Sequence, residues 1–338
     1  MRVEYDRKLD FDDVLIRPKR TRLKTRADVD LVRTFKTPHC VSETSGVPII
    51  AANMDSTGTL EMAAALAKHK VFTAIHKHYT LDQLVAADLN ADYNFVSFGL
   101  VEDISGIKQT MDALKSKGIN KICLDVANGY TEAFIDFVKK VRENHPDVLL
   151  MAGNVATPDM TEALIIAGAD IIKIGIGPGS VCETRSVTGV GYPQLSAIIE
   201  CGDAAHGVGG LICGDGGCRT SGDVSKAFGA GADFVMLGGM LAGHKECLSP
   251  EKQAELEEND FKVDYYGMSS TEAMNKYSGG VAKHRASEGR VATIEYKGPV
   301  EDTILAVLGG LRSTCTYVGA SKLKELTKRT SFVVKYSK

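Results

Sequence analysis

Long hydrophobic runs are absent from this sequence of 338 residues. No apolar stretch approaches the roughly 20 residues that a membrane-spanning helix needs, and residues 1–6 contain no apolar signal core. The 40 Lys and Arg residues nearly balance the 43 Asp and Glu residues, so the net charge of −3 provides no general attraction to nucleic acid or to an anionic membrane. We therefore expect a cytoplasmic protein whose partners include neither a membrane nor nucleic acid.

Cysteine pairs of the metal-binding kind are also absent. The eight cysteines form no CxxC pair, and no histidine cluster has the spacing of a zinc finger. In a reducing cytosol, a single cysteine is most often a small buried apolar residue. A reactive thiol therefore has to be identified from its position in the fold.

Eight short apolar runs are spaced along the chain, most of them starting roughly 22 to 28 residues apart, which fits a strand followed by a crossover helix. Their nearly continuous apolar character is typical of parallel strands buried on both faces. The predicted strands are residues 48–52, 72–75, 95–98, 121–124, 148–151, 171–174, 210–213 and 234–237.

The segments between these runs have the pattern of amphipathic helices. Eight strand–helix units favour a closed (β/α)₈ TIM barrel over an open doubly wound sheet, and no GxGxxG motif follows the first strand. The length suits a single domain spanning residues 1–338. The predicted helices are residues 59–68, 105–117, 131–144, 160–168, 222–231 and 300–311.

Three segments lie outside the repeat. The basic residues 1–47 precede the first strand, and we expect them to cap the barrel bottom or to reach a neighbouring subunit. Residues 178–191 form a glycine-rich loop after the sixth strand. Residues 243–298 form a long insertion after the eighth strand, and we expect a mobile lid there because long loops in compact domains often close binding sites.

Barrel active sites lie at the carboxyl ends of the strands. Gly216, Gly217, Gly238 and Gly239 follow the seventh and eighth strands, where backbone N–H groups often bind a phosphate. The alternative is that these glycines only form tight turns with positive φ. Asp215 has the position to accept hydrogen bonds from ligand hydroxyls, such as a ribose diol, or to act as a turn or N-cap residue.

Cys182 lies in the glycine-rich loop, with Thr184 and Arg185 beyond it. A guanidinium beside a thiol can lower its pKa and make it a nucleophile. The carbonyls of Gly177, Gly179 and Cys182 have the spacing to surround a hard cation. Glu288, late in the insertion, is either a general acid or base that arrives with the lid or a solvated carboxylate.

Four motifs then match a known group of proteins. They are Gly-Ile-Gly-Pro-Gly-Ser-Val-Cys at 175–182, Ala-Ala-Asn-Met-Asp at 51–55, Asp-Gly-Gly at 215–217 and Met-Leu-Gly-Gly-Met-Leu-Ala-Gly at 236–243. In these motifs the chain resembles the IMP dehydrogenase and GMP reductase superfamily over nearly its whole length. The reductase branch is favoured, because no regulatory module lies between His78 and Phe95 and residues 275–282 lack an Arg-Tyr pair. The segments at 76–79, 125–130, 287–289 and 312–317 also look like that branch.

The resemblance implies an NADPH-dependent reductive deamination of GMP to IMP and ammonia. Cys182 would attack C2 of the guanine and form a covalent thioimidate, hydride would then reach C2, and the thiolate would leave. Thr184 and Glu288 would relay protons to the departing amine. A monovalent cation, K⁺, and a homotetramer are further expectations from the resemblance.

The resemblance also assigns binding residues. Substrate contacts fall on Asp215, Gly216, Gly217, Gly238, Gly239, Gly267, Met268, Ser269, Arg285, Ala286, Ser287 and Gly289. Cofactor contacts fall on Lys77, Asp125, Val126, Ala127, Ile176, Gly177, Ser313, Thr314, Cys315 and Thr316, with Thr25 and Arg26 reaching from a neighbouring subunit. The cation would contact Gly177, Gly179, Cys182, Thr184 and Arg185.

The sequence departs from the family pattern at Glu183, where a small residue is usual and where a carboxylate can raise the Cys182 pKa, and at His284, where an aromatic Tyr is usual. Residues 245–262 look longer than the family norm. Two alternatives stay open: an IMP dehydrogenase without regulatory modules, and a catalytically inactive barrel that only binds a nucleotide.

Overall fold

Two short strands, β1 (Val14–Ile16) and β2 (Arg33–Phe35), precede a closed barrel in the computed structural model, which describes residues 1 and 3–335. The eight barrel strands are parallel, and β10 pairs back with β3, where Val235 lies opposite Ile49. All eight predicted strands and the TIM barrel are confirmed. The barrel strands are β3 (Thr44–Ala51), β4 (Val71–Ile75), β5 (Asn94–Phe98), β6 (Lys121–Asp125), β7 (Leu149–Val155), β8 (Ile171–Ile174), β9 (Leu211–Asp215) and β10 (Phe234–Leu237).

The helices that surround the barrel begin at residues suited to cap them. Thr59, Thr131 and Thr220 each accept a hydrogen bond from a backbone N–H of the first turn, which satisfies a donor that the helix itself leaves free. The helices up to the end of the barrel are α1 (Leu60–Ala67), α2 (Leu81–Ala86), α3 (Ser105–Leu114), α4 (Glu132–Asn144), α5 (Pro158–Ile166), α6 (Thr184–Thr188), α7 (Gln194–Gly207) and α8 (Ser221–Gly229).

The insertion between β10 and the last long helix has secondary structure of its own. Strands β11 (Lys262–Tyr266) and β12 (Val291–Glu295) pair in antiparallel register, and helices α9 (Pro250–Ala254) and α10 (Thr271–Ser278) lie before and between them. After the insertion come α11 (Val300–Val318), α12 (Leu326–Arg329) and β13 (Phe332–Val334). Strand β13 pairs with β1, which joins the two ends of the described chain.

Helix α11 corrects one prediction. The sequence predicts an end at Leu311, whereas the helix continues to Val318 and ends at Gly319, whose φ is +76°. Gly, Ser and Thr have low helix propensity, which is why the pattern suggests an end. Buried Cys315 and Val318 continue the apolar face of the helix, and this tertiary packing outweighs the local preference.

Aromatic side chains close the bottom of the barrel. Phe35 from β2 stacks on Phe234 with ring centroids 4.4 Å apart, and Phe72 meets Phe234 edge-on at 5.6 Å. Each fully buried Phe contributes roughly 1.5–3 kcal/mol. The expected capping of the bottom by residues 1–47 is confirmed for β2, and the filled bottom leaves the opposite end of the barrel for a ligand.

No helix among the described residues has the length and apolar character to cross a bilayer. All eight cysteines are free, and five of them are buried, as expected for small apolar residues.

An ion pair near the barrel bottom should give the fold a pH-dependent stability. His206 Nε2 lies 2.7 Å from the buried carboxylate of Asp233, and this hydrogen bond raises the pKa of His206 above its ordinary 6.5. Because the pKa of His206 is higher in the folded than in the unfolded protein, the ion pair adds to the free energy of unfolding below pH 6.5. This stabilisation disappears as the pH rises through the pKa that His206 has in the folded protein. His206→Gln should therefore lower the melting temperature more at pH 6 than at pH 8.5. A loss of equal size at both pH values in thermal melts would contradict this.

Candidate active site

A cavity of about 490 Å³ opens at the carboxyl ends of the barrel strands, within the size range of ordinary small-molecule sites. The strand ends supply its floor and the insertion supplies part of its wall. It brings together most of the predicted site residues: Lys77, Asp125, Val126, Ala127, Ile176, Gly177, Gly179, Cys182, Thr184, Asp215, Gly216, Gly217, Gly238, Gly239, Gly267, Met268, Ser269, Arg285 and Glu288.

A chain of three polar side chains crosses this cavity. Cys182 Sγ lies 3.3 Å from Thr184 Oγ1, and the Thr184 hydroxyl donates to Glu288 Oε2 at 2.8 Å. Cys182 is half-buried, so the thiol faces the cavity without being sealed in the core. The arrangement connects a thiol to a carboxylate through one hydroxyl, a geometry that would suit an activated nucleophile with a proton relay.

Backbone pairing between the loop and the insertion fixes this chain. Cys182 forms an isolated antiparallel bridge with Gly289, and the Glu183 N–H donates to the Glu288 carbonyl at 2.7 Å. The Arg290 N–H donates to the Val181 carbonyl at 3.0 Å. Glu288 therefore approaches Thr184 only because the insertion lies on the loop in this conformation.

Arg185 differs from the expectation that its guanidinium serves the thiol. Its Nη2 donates to the Tyr192 carbonyl at 2.5 Å, its Nε donates to the Ile176 carbonyl at 3.4 Å, and its Nη1 lies 3.3 Å from Asp10. These bonds brace the loop on both sides of Cys182. Arg185 is thus a structural clamp of the loop, and its positive charge is shared with Asp10.

The four glycines that were predicted to bind a phosphate, Gly216, Gly217, Gly238 and Gly239, all line the cavity, and we call them the glycine seat. Gly216 and Gly217 have φ values of +90° and +86°, a region that favours glycine. A Cβ on Gly238 would lie 3.0 Å from the hydroxyl of Tyr265, so any side chain there would crowd the seat. Tyr265 is buried on β11, a residue that the sequence reasoning missed because it lies inside the charged insertion.

A cluster of charged and polar side chains around the buried Lys173 lines the same cavity. Asp215 Oδ2 accepts a hydrogen bond from Asn154 Nδ2 at 2.8 Å and lies 3.3 Å from Lys173 Nζ. The same Nζ donates to Asp125 Oδ1 and, at 3.2 Å, to Asn53 Oδ1. The sequence reasoning proposed Asp125 and Asp215 for separate ligands but missed Lys173, which connects them.

The remaining predicted residues lie outside the cavity. Ala286, Ser287 and Gly289 flank Glu288, and the Ser287 hydroxyl donates to the Gly289 carbonyl at 2.9 Å. Thr25, Arg26 and Thr316 line a separate groove of about 550 Å³.

The other residues of the predicted 313–316 segment lie on α11. The Thr314 hydroxyl donates to Ser225 Oγ at 2.9 Å, and Cys315 is buried in the core. Within one chain these residues, like Thr25 and Arg26, do not approach Cys182, so their predicted cofactor role requires a second subunit and stays a prediction.

A carboxylate on the barrel holds the insertion in place. Asp55 Oδ2 accepts hydrogen bonds from Tyr266 at 2.6 Å, Tyr277 at 2.5 Å and Lys276 at 2.8 Å, all three in the insertion. Burial alone would raise the pKa of Asp55, but these donors outweigh it and lower the pKa. His78 stacks on the Tyr277 ring with centroids 3.5 Å apart. We call these five residues the Asp55 latch.

Removing the latch should loosen the insertion. Hydrogen bonds to a charged group contribute about 1.5–3 kcal/mol each. In Asp55→Ala, amide hydrogen exchange in residues 271–278 should accelerate by about tenfold or more, with an increase in KM of similar size. Asp260→Asn changes an exposed carboxylate of the same insertion and serves as the control. Unchanged exchange in Asp55→Ala would show that other contacts hold the insertion.

Among the described residues, no group of three or more His, Cys, Asp or Glu side chains is arranged to hold a metal ion. The cation predicted for the loop would depend on backbone carbonyls instead. The Gly179 carbonyl accepts the Cys182 N–H at 3.1 Å, and the Arg185 carbonyl accepts the Gly189 N–H at 3.1 Å. A carbonyl oxygen has a second lone pair for a cation, so these contacts are compatible with the prediction.

The protein is a (β/α)₈ barrel, and a cavity lined by the Cys182 thiol lies at the carboxyl ends of its strands. The family model of the IMP dehydrogenase / GMP reductase domain matches residues 8–338. A GMP reductase of Shewanella pealeana is 59% identical, and human GMP reductase 1 is 55% identical; each alignment covers 98% of this chain and 96% of the relative. The chain therefore belongs to the IMP dehydrogenase / GMP reductase family, as the resemblance predicts.

Proposed function

We propose that this protein is a GMP reductase that converts GMP to IMP and ammonia with NADPH. The observation that carries the proposal is the hydrogen-bonded chain Cys182–Thr184–Glu288 in a nucleotide-sized cavity. Relatives that share 55–59% of its residues over nearly the full length bear the name GMP reductase. The connection between β4 and β5 also supports a reductase, because it consists only of α2 and short loops and contains no inserted regulatory module.

In this mechanism the Cys182 thiol passes its proton through the Thr184 hydroxyl to Glu288, and Sγ bonds to C2 of the guanine as a thiolate. The exocyclic amine leaves as ammonia only after it gains a proton, because amide ion is a very poor leaving group. Glu288 returns its proton to the amine through the same hydroxyl, which lies between the carboxylate and the sulfur. The thiolate is released again when C2 has gained a hydride, and the product is IMP.

The nucleotide would bind across the strand ends. Asp215 would accept the ribose hydroxyls, since the hydrogen bond from Asn154 and the ion pair with Lys173 both fall on Oδ2 of its carboxylate. The N–H groups around Gly216, Gly217, Gly238 and Gly239 would bind the phosphate. Met268, Ser269 and the segment 285–289 would cover the base as a lid.

The reduced nicotinamide cofactor supplies the hydride when it is bound. Lys77 and residues 125–127 line the same cavity as Cys182 and fit this role, because they leave the glycine seat to the substrate. The groove of Thr25, Arg26 and Thr316 would hold the far end of the cofactor in a homotetramer, where it meets a neighbouring subunit. K⁺ on the loop carbonyls and a cytoplasmic location complete the proposal.

The proposal is tested by mixing the protein with GMP and NADPH and following the loss of NADPH absorbance together with ammonia release. One ammonia should appear for each NADPH consumed. NAD-dependent turnover of IMP without NADPH oxidation would instead indicate a dehydrogenase. Binding of GMP with no turnover in either direction would indicate an inactive nucleotide-binding barrel.

A further inference from the structure

Lys173 is a lysine at the centre of the barrel. It lies in β8 between isoleucines, and its side chain is only 1% exposed. Its three partners come from three different places: Asn53 follows β3, Asp125 ends β6 and Asp215 ends β9. Burying an ammonium costs free energy unless its charge is paired and its N–H groups are hydrogen-bonded. The presence of a lysine at this buried position therefore needs an explanation.

Lys173 and Asp125 keep their charges at neutral pH. Burial would lower the pKa of Lys173, but the carboxylates of Asp125 and Asp215 raise it well above its usual value. Burial would likewise raise the pKa of Asp125, and Lys173 reverses that effect, so the pKa is lowered. The Lys173 ammonium and the Asp125 carboxylate therefore coexist in the wall of the cavity.

The Lys173 ammonium has a partner on each of three residues. Nζ donates hydrogen bonds to Asn53 and Asp125, and it lies 3.3 Å from the Asp215 carboxylate in an ion pair. A shift of either carboxylate therefore changes the bond that Nζ makes to the other one. A lysine that neutralised a single carboxylate would not produce such a connection.

We propose that Lys173 is a positioning residue that couples nucleotide binding at Asp215 to cofactor binding at Asp125. The inference rests on the proposed function, which places GMP on one carboxylate and the cofactor on the other. When GMP hydroxyls fix Asp215, Lys173 holds Asp125 in place, and the cofactor then binds to an ordered carboxylate. By reciprocity, the cofactor tightens GMP binding by the same factor.

The coupling is measured as the ratio of GMP affinities without and with saturating NADP⁺, a cofactor form that cannot reduce GMP. We expect a ratio of about fivefold or more in the unmodified protein. In Lys173→Met the ratio should fall to about one, and Lys173→Arg, which keeps the charge, should retain part of it. Cooperative melting of each variant establishes that it is folded.

Two results would overturn the proposal: a ratio near one in the unmodified protein, or an unchanged ratio in folded Lys173→Met. If the unmodified protein binds no GMP, the proposed function fails and the coupling fails with it. If Lys173→Met binds GMP and NADP⁺ with an unchanged ratio, only the role of Lys173 is removed.

If Lys173→Met does not fold, the double variant Asp125→Asn/Lys173→Met replaces it, because it keeps the original net charge of the cluster. It should then bind GMP about tenfold more weakly than Asp125→Asn, and equal affinity would also overturn the proposal.

Discussion

Cys182→Ala should bind GMP and release no ammonia. The thiol is the group that would form the bond to C2, and no neighbouring side chain in the Cys182–Thr184–Glu288 chain can replace it, since a hydroxyl paired with a carboxylate is a weaker nucleophile than a thiolate. Loss of a covalent nucleophile reduces turnover by a factor of about 10⁴ or more. Turnover is followed by NADPH absorbance and binding by calorimetry.

Cys218 provides a matched control, because it also lines the cavity and is also half-buried. Burial raises the pKa of the Cys218 thiol, so this sulfur stays protonated and unreactive. Cys218→Ala should therefore keep most of the activity. Substantial turnover in Cys182→Ala would remove the covalent mechanism, and loss of GMP binding would show that the alanine had disturbed the loop.

Glu288→Gln should be nearly as damaging, for a different reason. The amide still accepts the Thr184 hydroxyl but has no acidic proton to pass on, so the amine cannot leave as ammonia. We expect kcat to fall by about 10²–10⁴ with little change in GMP affinity. Rapid-quench measurements should find that ammonia formation, rather than cofactor oxidation, has become slow.

Thr184→Val tests the same relay from its centre. It breaks the connection between Sγ and the carboxylate and should reproduce the Glu288→Gln defect, and the double variant should be no worse than either single one. Glu183→Gln is the control, because it removes a neighbouring carboxylate outside the relay. If the effects of the two relay variants multiply instead, Thr184 and Glu288 act in separate steps.

The barrel itself could be predicted from the sequence because each strand is buried on both faces. A run such as residues 234–237 stays apolar over its whole length, and that signal is local. The location of Cys182 and of the four glycines at the barrel mouth could be predicted for the same reason, since the register of the strands places there the residues that follow them. Helix α11 was predicted too short because its last turns depend on packing rather than on propensity.

The parts that were missed depend on distant contacts. Lys173 interrupts an isoleucine strand, and nothing local reveals its two carboxylate partners, Asp125 at the end of β6, 48 residues earlier, and Asp215 at the end of the neighbouring strand β9. The Asp55 latch joins residues 211 to 222 positions apart. Arg185 was expected to act on the thiol because it is near in sequence, yet the partner that shares its charge, Asp10, is 175 positions away.

The bridge between Cys182 and Gly289 divides the chemistry between two parts of the chain. In the proposed mechanism, the barrel supplies the Cys182 sulfur and the glycines that bind the nucleotide, whereas the insertion supplies the Glu288 carboxylate that completes the relay. Reactivity at the ring and proton supply to the departing group can therefore change independently during evolution. A substitution confined to the insertion can redirect the fate of the bound nucleotide and leave its recognition intact.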